Sequence, residues 1–214
     1  MAKKSNQYYL LNGFGLLELL IAIFLSSLIS MVVFKLVLSA EKLNQDAKIL
    51  CDIQDKMRFL SYFLRQKIEM AGNADCINKK NISLLPVLMG YDQNTAKEKL
   101  DINVKSGTAL LAIQECVLNK NKSQYLPILF FIAKTQYLNL QNKPIYSLFY
   151  KIGDNNKEEL ISNMDQFNLL FKINNIYLPL SNNINWPLVK TVKIIYFLNQ
   201  NKIGILIASK RITV

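Results

Sequence analysis

One acidic side chain stands in the most apolar part of the sequence: Glu18, within residues 12–25, NGFGLLELLIAIFL. A charged residue at the middle of a membrane helix costs roughly 2.5 to 3.5 kcal/mol on insertion scales, so it is rarely present without a partner or a role. Two readings follow. Either Glu18 lies near the cytoplasmic interface and reaches water, or it has a partner or a role within the apolar segment. The other residue types that do chemistry are sparse. Histidine is absent, which excludes histidine general bases and histidine metal sites. The three cysteines, Cys51, Cys76 and Cys116, lack the C-x-x-C pairing of zinc or thioredoxin-like sites, leaving either a disulfide with a spare thiol or three buried thiols. Glu158 and Glu159 fall in a polar turn, and Asp92 and Asp101 in a lysine-rich loop, where carboxylates usually solvate a surface. With no glycine-rich phosphate loop, metal-ligand spacing or triad pattern, the chain reads as a non-enzyme without metal or cofactor.

The element that must position Glu18 is a helix. From Phe14 to Ala40 the only charged residues are Glu18 and Lys35, and about 20 apolar residues suffice to cross a bilayer. Lys3 and Lys4 precede this run and keep its N-terminal end cytoplasmic by the positive-inside rule. In a secretory signal peptide the cleavage site follows the apolar core; here the small residue, Gly13, precedes it. The rest of the chain is then exported to an oxidising space where disulfides persist. No proline or glycine interrupts Leu16 to Ala71, and Ile49, Ile53, Met57, Leu60, Leu64 and Ile68 recur at spacings of three and four. That pattern predicts one apolar stripe on a helix continuing to about Met70, on the order of 85 Å long if unbroken. Ala71-Gly72-Asn73 then supplies helix-ending chemistry.

With its order of glycine, aromatic, three further residues and glutamate leading a long apolar helix, Gly13-Phe14-Gly15-Leu16-Leu17-Glu18 resembles the class III signal of type IV prepilins and type II secretion pseudopilins. Gly15 stands where those families most often have threonine or serine. The resemblance implies that a prepilin peptidase cuts between Gly13 and Phe14 and methylates the new amine of Phe14. It also implies that Glu18 neutralises such an amine on a neighbouring subunit in the filament core. The stretch Phe59 to Cys76, an arginine-containing amphipathic segment followed by Ala-Gly and a cysteine, is similar to PilW-type minor pilins and, more loosely, to J-type minor pseudopilins. Asn73, Ala74 and Asp75 replace the aromatic and Gly-Cys usual there. By that resemblance Cys76 pairs with Cys116, while Cys51 lies on the helix, off the core stripe, and stays unpaired.

Beyond Ile82 short apolar segments alternate with asparagine, lysine, glycine and proline breaks: ALLAIQECVL, YLPILFFIA, IYSLFYKI, FNLLFKI, IYLPL, LVKTVKIIYFL and IGILIAS. Their length and their β-branched and aromatic content predict strands. The five prolines are expected at strand margins or on edges. The segment KTVKIIYFLNQNKIGILIASKRI reads as a hairpin turning over Asn199 to Gly204, and YSLFYKIGDNNKEELISNM as a strand, a turn and a second short element. The expected fold is α+β and pilin-like. A long N-terminal helix, transmembrane in its first half, packs its stripe on one face of an antiparallel sheet. The organisation is a leader at 1–13, a transmembrane and filament-core helix at 14–40, an amphipathic continuation at 41–72 and an exported β-rich domain at 73–214.

At 214 residues, 51% hydrophobic and 19% charged, the chain suits one globular domain plus a membrane segment. Its formal charge of +11 comes mostly from lysine, in keeping with a general asparagine and lysine bias. The resemblance implies a minor pilin of a type IV pilus, lodged in the bacterial inner membrane and then in the pilus. There it helps to initiate or cap assembly beneath a tip subunit, with prepilin peptidase, other minor pilins, the major pilin and inner-membrane lipid as partners. The alternatives are a J-type pseudopilin of a type II secretion system, a DNA-uptake pilin and an ordinary bitopic anchor. Nucleic-acid binding has little support, because Lys79, Lys80, Lys97, Lys99, Lys105, Lys120 and Lys122 fall in expected loops without interleaved aromatics.

Overall fold

The structure, a computed structural model, describes residues 15–73, 76, 86–119, 122–139, 141–181, 184–198 and 202–210. The chain separates into two compact units, Met1–Asp52 and Ile53–Val214. Among its described residues the first unit is the leading part of a single helix, α1 (Leu16–Glu69), and every residue of it from Gly15 to Asp52 is exposed. It includes a stretch long and apolar enough to cross a membrane, none of which is buried. Three of the four serine hydroxyls there are absorbed by the helix itself. Ser26 donates to the Ile23 carbonyl at 2.9 Å, Ser27 to that of Phe24 at 2.7 Å and Ser39 to that of Lys35 at 2.9 Å, so these three groups need no solvent.

Among its described residues the second unit holds the end of α1, nine strands and a second helix. Strands β1 (Leu88–Tyr91), β2 (Leu110–Asn119), β3 (Lys122–Leu138), β4 (Pro144–Ile152) and β5 (Glu158–Ser162) form one antiparallel sheet in sequence order. Strands β6 (Met164–Ile173), β7 (Ile176–Pro179), β8 (Thr191–Leu198) and β9 (Lys202–Ser209) form another, ordered β7-β6-β8-β9. The expected architecture is therefore present with two sheets where one was anticipated. Ile53, Leu60, Leu64 and Ile68 of α1 are buried, with Leu60, Leu64 and Ile68 in a core shared with both sheets. Met57 is half-buried against that core, whereas Ile49, the first residue of the predicted stripe, is 57% exposed.

The apolar runs of the first sheet are nearly continuous because both of its faces are covered. Leu111, Ile113, Ile128, Phe130, Ile132 and Leu148 point into the shared core. Their alternates Leu110, Ala112, Leu129, Phe131, Ala133 and Phe149 pack with Ala96, Ile102 and Val104. Ala96 belongs to α2 (Gln93–Leu100), a helix between Asp92 and Asp101 where the sequence suggested only a loop. Asp92 is its N-cap: the carboxylate accepts the Thr95 N–H at 2.7 Å, and Thr95 Oγ1 accepts the Asp92 N–H at 3.1 Å. Asp101 closes it in the left-handed region with φ 52°.

Pro127 departs from expectation by lying inside β3, a central strand, opposite Gln114 of β2. Gln114 turns its amide the other way, donating to Val87 O at 3.0 Å, so the β2–β3 ladder asks nothing of position 127. On the remaining side Pro127 needs only its carbonyl, which accepts Gly153 N at 2.8 Å just past the end of β4. The other four prolines lie at margins: Pro86 precedes β1, Pro144 opens β4, Pro179 ends β7 and Pro187 sits in a short 3-10 turn, Trp186–Leu188. Gly204, read as part of the hairpin turn, lies within β9. A Cβ there would overlap the Tyr196 ring, whose hydroxyl reaches Ser61 Oγ at 3.0 Å on α1.

Candidate functional site

Glu18 sits in the first turn of α1, three residues after Gly15. Gly15 takes the N-cap position, its carbonyl accepting the Glu18 N–H at 3.0 Å, and Glu18 Oε2 accepts the Gly15 N–H at 3.3 Å. This is one half of a capping box, closed by the acid at the third helical position. The glycine found where threonine or serine is usual in the resembling families therefore still serves as a cap, without supplying a side-chain acceptor. Gly13, Phe14, Lys3 and Lys4 lie outside the described residues.

A second polar cluster lies at the other end of α1. Gly72, with φ 86°, turns the chain out of the helix and donates to Gln114 O at 2.7 Å. A Cβ at that position would sit 3.0 Å from Val87 Cγ1, so the left-handed backbone and the close approach both call for glycine. Cys116 N donates to Asn73 O at 2.9 Å, and Cys76 N to Cys116 Sγ at 3.1 Å. Cys76 and Cys116 are joined as a disulfide with Cα atoms 5.8 Å apart, within the usual range. Cys51 is a free, exposed thiol.

Beside the bridge lies a pair that the sequence reading passed over. Lys67 in the last turn of α1 donates to Glu115 Oε1 on β2, the lysine side chain 24% and the glutamate 4% exposed. Glu115 Oε2 has no hydrogen-bond partner. Both residues line a cavity of about 420 Å³ with Gln66, Met70, Asn73, Cys116 and Val117. The available signal was an acid inside the apolar run ALLAIQECVL, the same kind of anomaly that marks Glu18.

The remaining carboxylates do local structural work. The Thr95 hydroxyl and then the Thr95 N–H hold the Asp92 carboxyl below the usual range. Glu158 and Glu159 open β5 rather than occupying a turn, and Glu158 accepts the Tyr150 hydroxyl, which pushes that phenol up. The lysines proposed as loop cations scatter. Lys97 and Lys99 are exposed on α2. Lys105 is engaged, donating to Asp165 O at 2.7 Å with its ammonium 4.5 Å from the Tyr146 ring centroid. Lys79, Lys80 and Lys120 lie outside the described residues, and Lys122 opens β3. Among the described residues no group of three or more histidine, cysteine, aspartate or glutamate side chains is placed to hold a metal ion.

No protein-family model matches the sequence, and no curated protein matches it. Among solved structures, the chain is similar to one chain of the GspK-GspI-GspJ complex from the type 2 secretion system of enterotoxigenic Escherichia coli. The identity is 13% and the TM-score 0.45, over 74% of this chain and 97% of that one. That similarity is too loose to assign a relative.

Proposed function

We propose that the chain is a minor subunit of a type IV pilus or of the related type II secretion pseudopilus. It is inserted in the inner membrane by α1, matured at Gly13-Phe14 and then drawn into a filament. One observation supports this reading most. A carboxylate is held in the first turn of a 54-residue helix, immediately after the Gly-Phe motif, and the helix leads with exposed apolar surface.

In the proposed mechanism the peptidase cuts after Gly13, where the lack of a side chain lets its catalytic groups approach the backbone. The cut leaves a cationic amine on Phe14 within lipid. Glu18 of an adjoining subunit neutralises that amine as the apolar helices stack. Breaking such a buried pair by removing one partner commonly costs about 3 to 5 kcal/mol, so the pair fixes the stagger between subunits even where it adds little net stability. The chain's own part is structural and no reaction is assigned to it.

The test is to shear filaments from cells and probe for the chain. It is expected in the sheared fraction when prepilin peptidase is active and confined to the membrane when it is not. Equal recovery in both strains overturns the proposal. Deleting the gene separates the two systems: loss of surface pili marks the pilus subunit, and loss of protein secretion with pili intact marks the pseudopilin.

A further inference from the structure

Among the described residues, three of the four sheet edges are blunted. Strands β1 and β7 are four residues long, the latter ending in Pro179, and β5 carries Glu158 and Glu159 among its five residues. Short edges, prolines and charges are the usual protections against unwanted strand pairing. The fourth edge, β9, has no proline and carries its one charge, Lys202, at its first residue. It is eight residues long and pairs with β8 without a register shift. Between Lys202 and Lys210 it reads Ile-Gly-Ile-Leu-Ile-Ala-Ser, with no charge or proline.

The phase of the ladder shows what this edge offers. Lys210 N donates to Lys190 O at 2.9 Å, and two-residue steps from that bonded pair reach Val192–Ala208, Ile194–Leu206 and Tyr196–Gly204. Gly204, Leu206 and Ala208 therefore bond to β8, while Ile203, Ile205 and Ile207 turn their N–H and C=O groups to the open edge. Among the described residues no strand pairs with that edge. The same three isoleucines are 56%, 59% and 48% exposed. A free backbone ladder and an apolar side-chain row thus coincide on one strand.

We propose that β9 is a strand-addition site for an extended segment of another protein, apolar at alternate positions and carrying carboxylates at its ends, which extends the second sheet by one strand. The charges select this occupant. Lys202 and Lys210 bracket the isoleucines, and Lys193 stands on the neighbouring strand between them. Burial and then the neighbouring Lys190 push the Lys210 ammonium down, so a carboxylate there relieves an existing conflict. A second copy fits worse, because antiparallel pairing of β9 with itself sets Lys202 of each copy at or beside Lys210 of the other.

The experiment uses the full chain in detergent and a short synthetic peptide alternating valine and threonine with glutamate at both ends, beside a lysine-ended counterpart. At about ten times its Kd the glutamate-ended peptide slows amide exchange about tenfold at Ile203, Ile205 and Ile207, whose N–H groups face the open edge and exchange without opening of the β8–β9 ladder. The lysine-ended peptide has a much smaller effect. Ile205→Pro removes an edge donor that β8 does not use and is expected to abolish the slowing at Ile203 and Ile207 at an unchanged melting temperature. Ile205→Glu, which keeps the backbone and repels the acidic ends, is expected to abolish it as well. Absence of slowing, equal slowing by both peptides, or slowing on raising the chain's own concentration without peptide each overturns the proposal.

Discussion

At the scale of single residues, two acids placed in apolar surroundings have different fates. Glu18 was legible because the stretch of helix around it, as far as Ala40, holds only one other charge, Lys35. Its role as a cap for Gly15 was not, since a capping contact depends on where the helix starts. The two roles separate by substitution. Glu18→Ala is expected to leave membrane insertion intact and impair filament incorporation. Glu18→Gln retains an acceptor for the Gly15 N–H but carries no charge, so it fails equally if charge pairing matters and is rescued if capping alone does; the ratio of filament to membrane fractions reads the difference. Glu115 escaped notice because its partner, Lys67, is far away in sequence and close only in the fold. Lys67→Met leaves that carboxylate buried without its cation and is expected to cost about 3 kcal/mol. Lys67→Met combined with Glu115→Leu recovers most of the loss in urea unfolding. Asp92 gives a pH signature. Its folded-state value is depressed, so its contribution is present above the unfolded carboxylate range and is lost as pH falls through the folded value. Asp92→Ala is expected to weaken α2 by about 1 kcal/mol and to remove that acid-side dependence, followed by amide exchange at Thr95 and Ala96.

At the scale of elements, the stripe Ile53, Leu60, Leu64 and Ile68 and the strand segments were readable because hydrophobic periodicity is set locally. Helix α2 was not readable that way. Gln-Asn-Thr-Ala-Lys-Glu-Lys-Leu has too few apolar residues to show a period, and it is held by its Asp92–Thr95 cap and by Ala96 in the core below. Pro127 shows the same limit, since which way Gln114 turns its amide is a property of the ladder and not of the strand. The disulfide closes the 40-residue separation between Cys76 and Cys116 at the end of α1. Cys76→Ser with Cys116→Ser is expected to lower stability by up to about 4 kcal/mol on the loop-entropy account. If thermal unfolding of oxidised protein and of the double variant coincides, the bridge contributes nothing.

At the scale of the whole molecule, an exposed apolar helix and a domain whose core is already filled by two sheets and the end of α1 have separate needs. The domain satisfies its own core, while the leading part of α1 requires lipid or other helices around it. The proposed assembly of a filament from the membrane would meet that requirement in both states, and that proposal calls for removal of residues 1–13 first. The most direct measurement is mass spectrometry of the N-terminal peptide of protein extracted from membranes of cells with active prepilin peptidase. The account predicts a chain beginning at N-methylated Phe14; a chain still carrying residues 1–13 contradicts it.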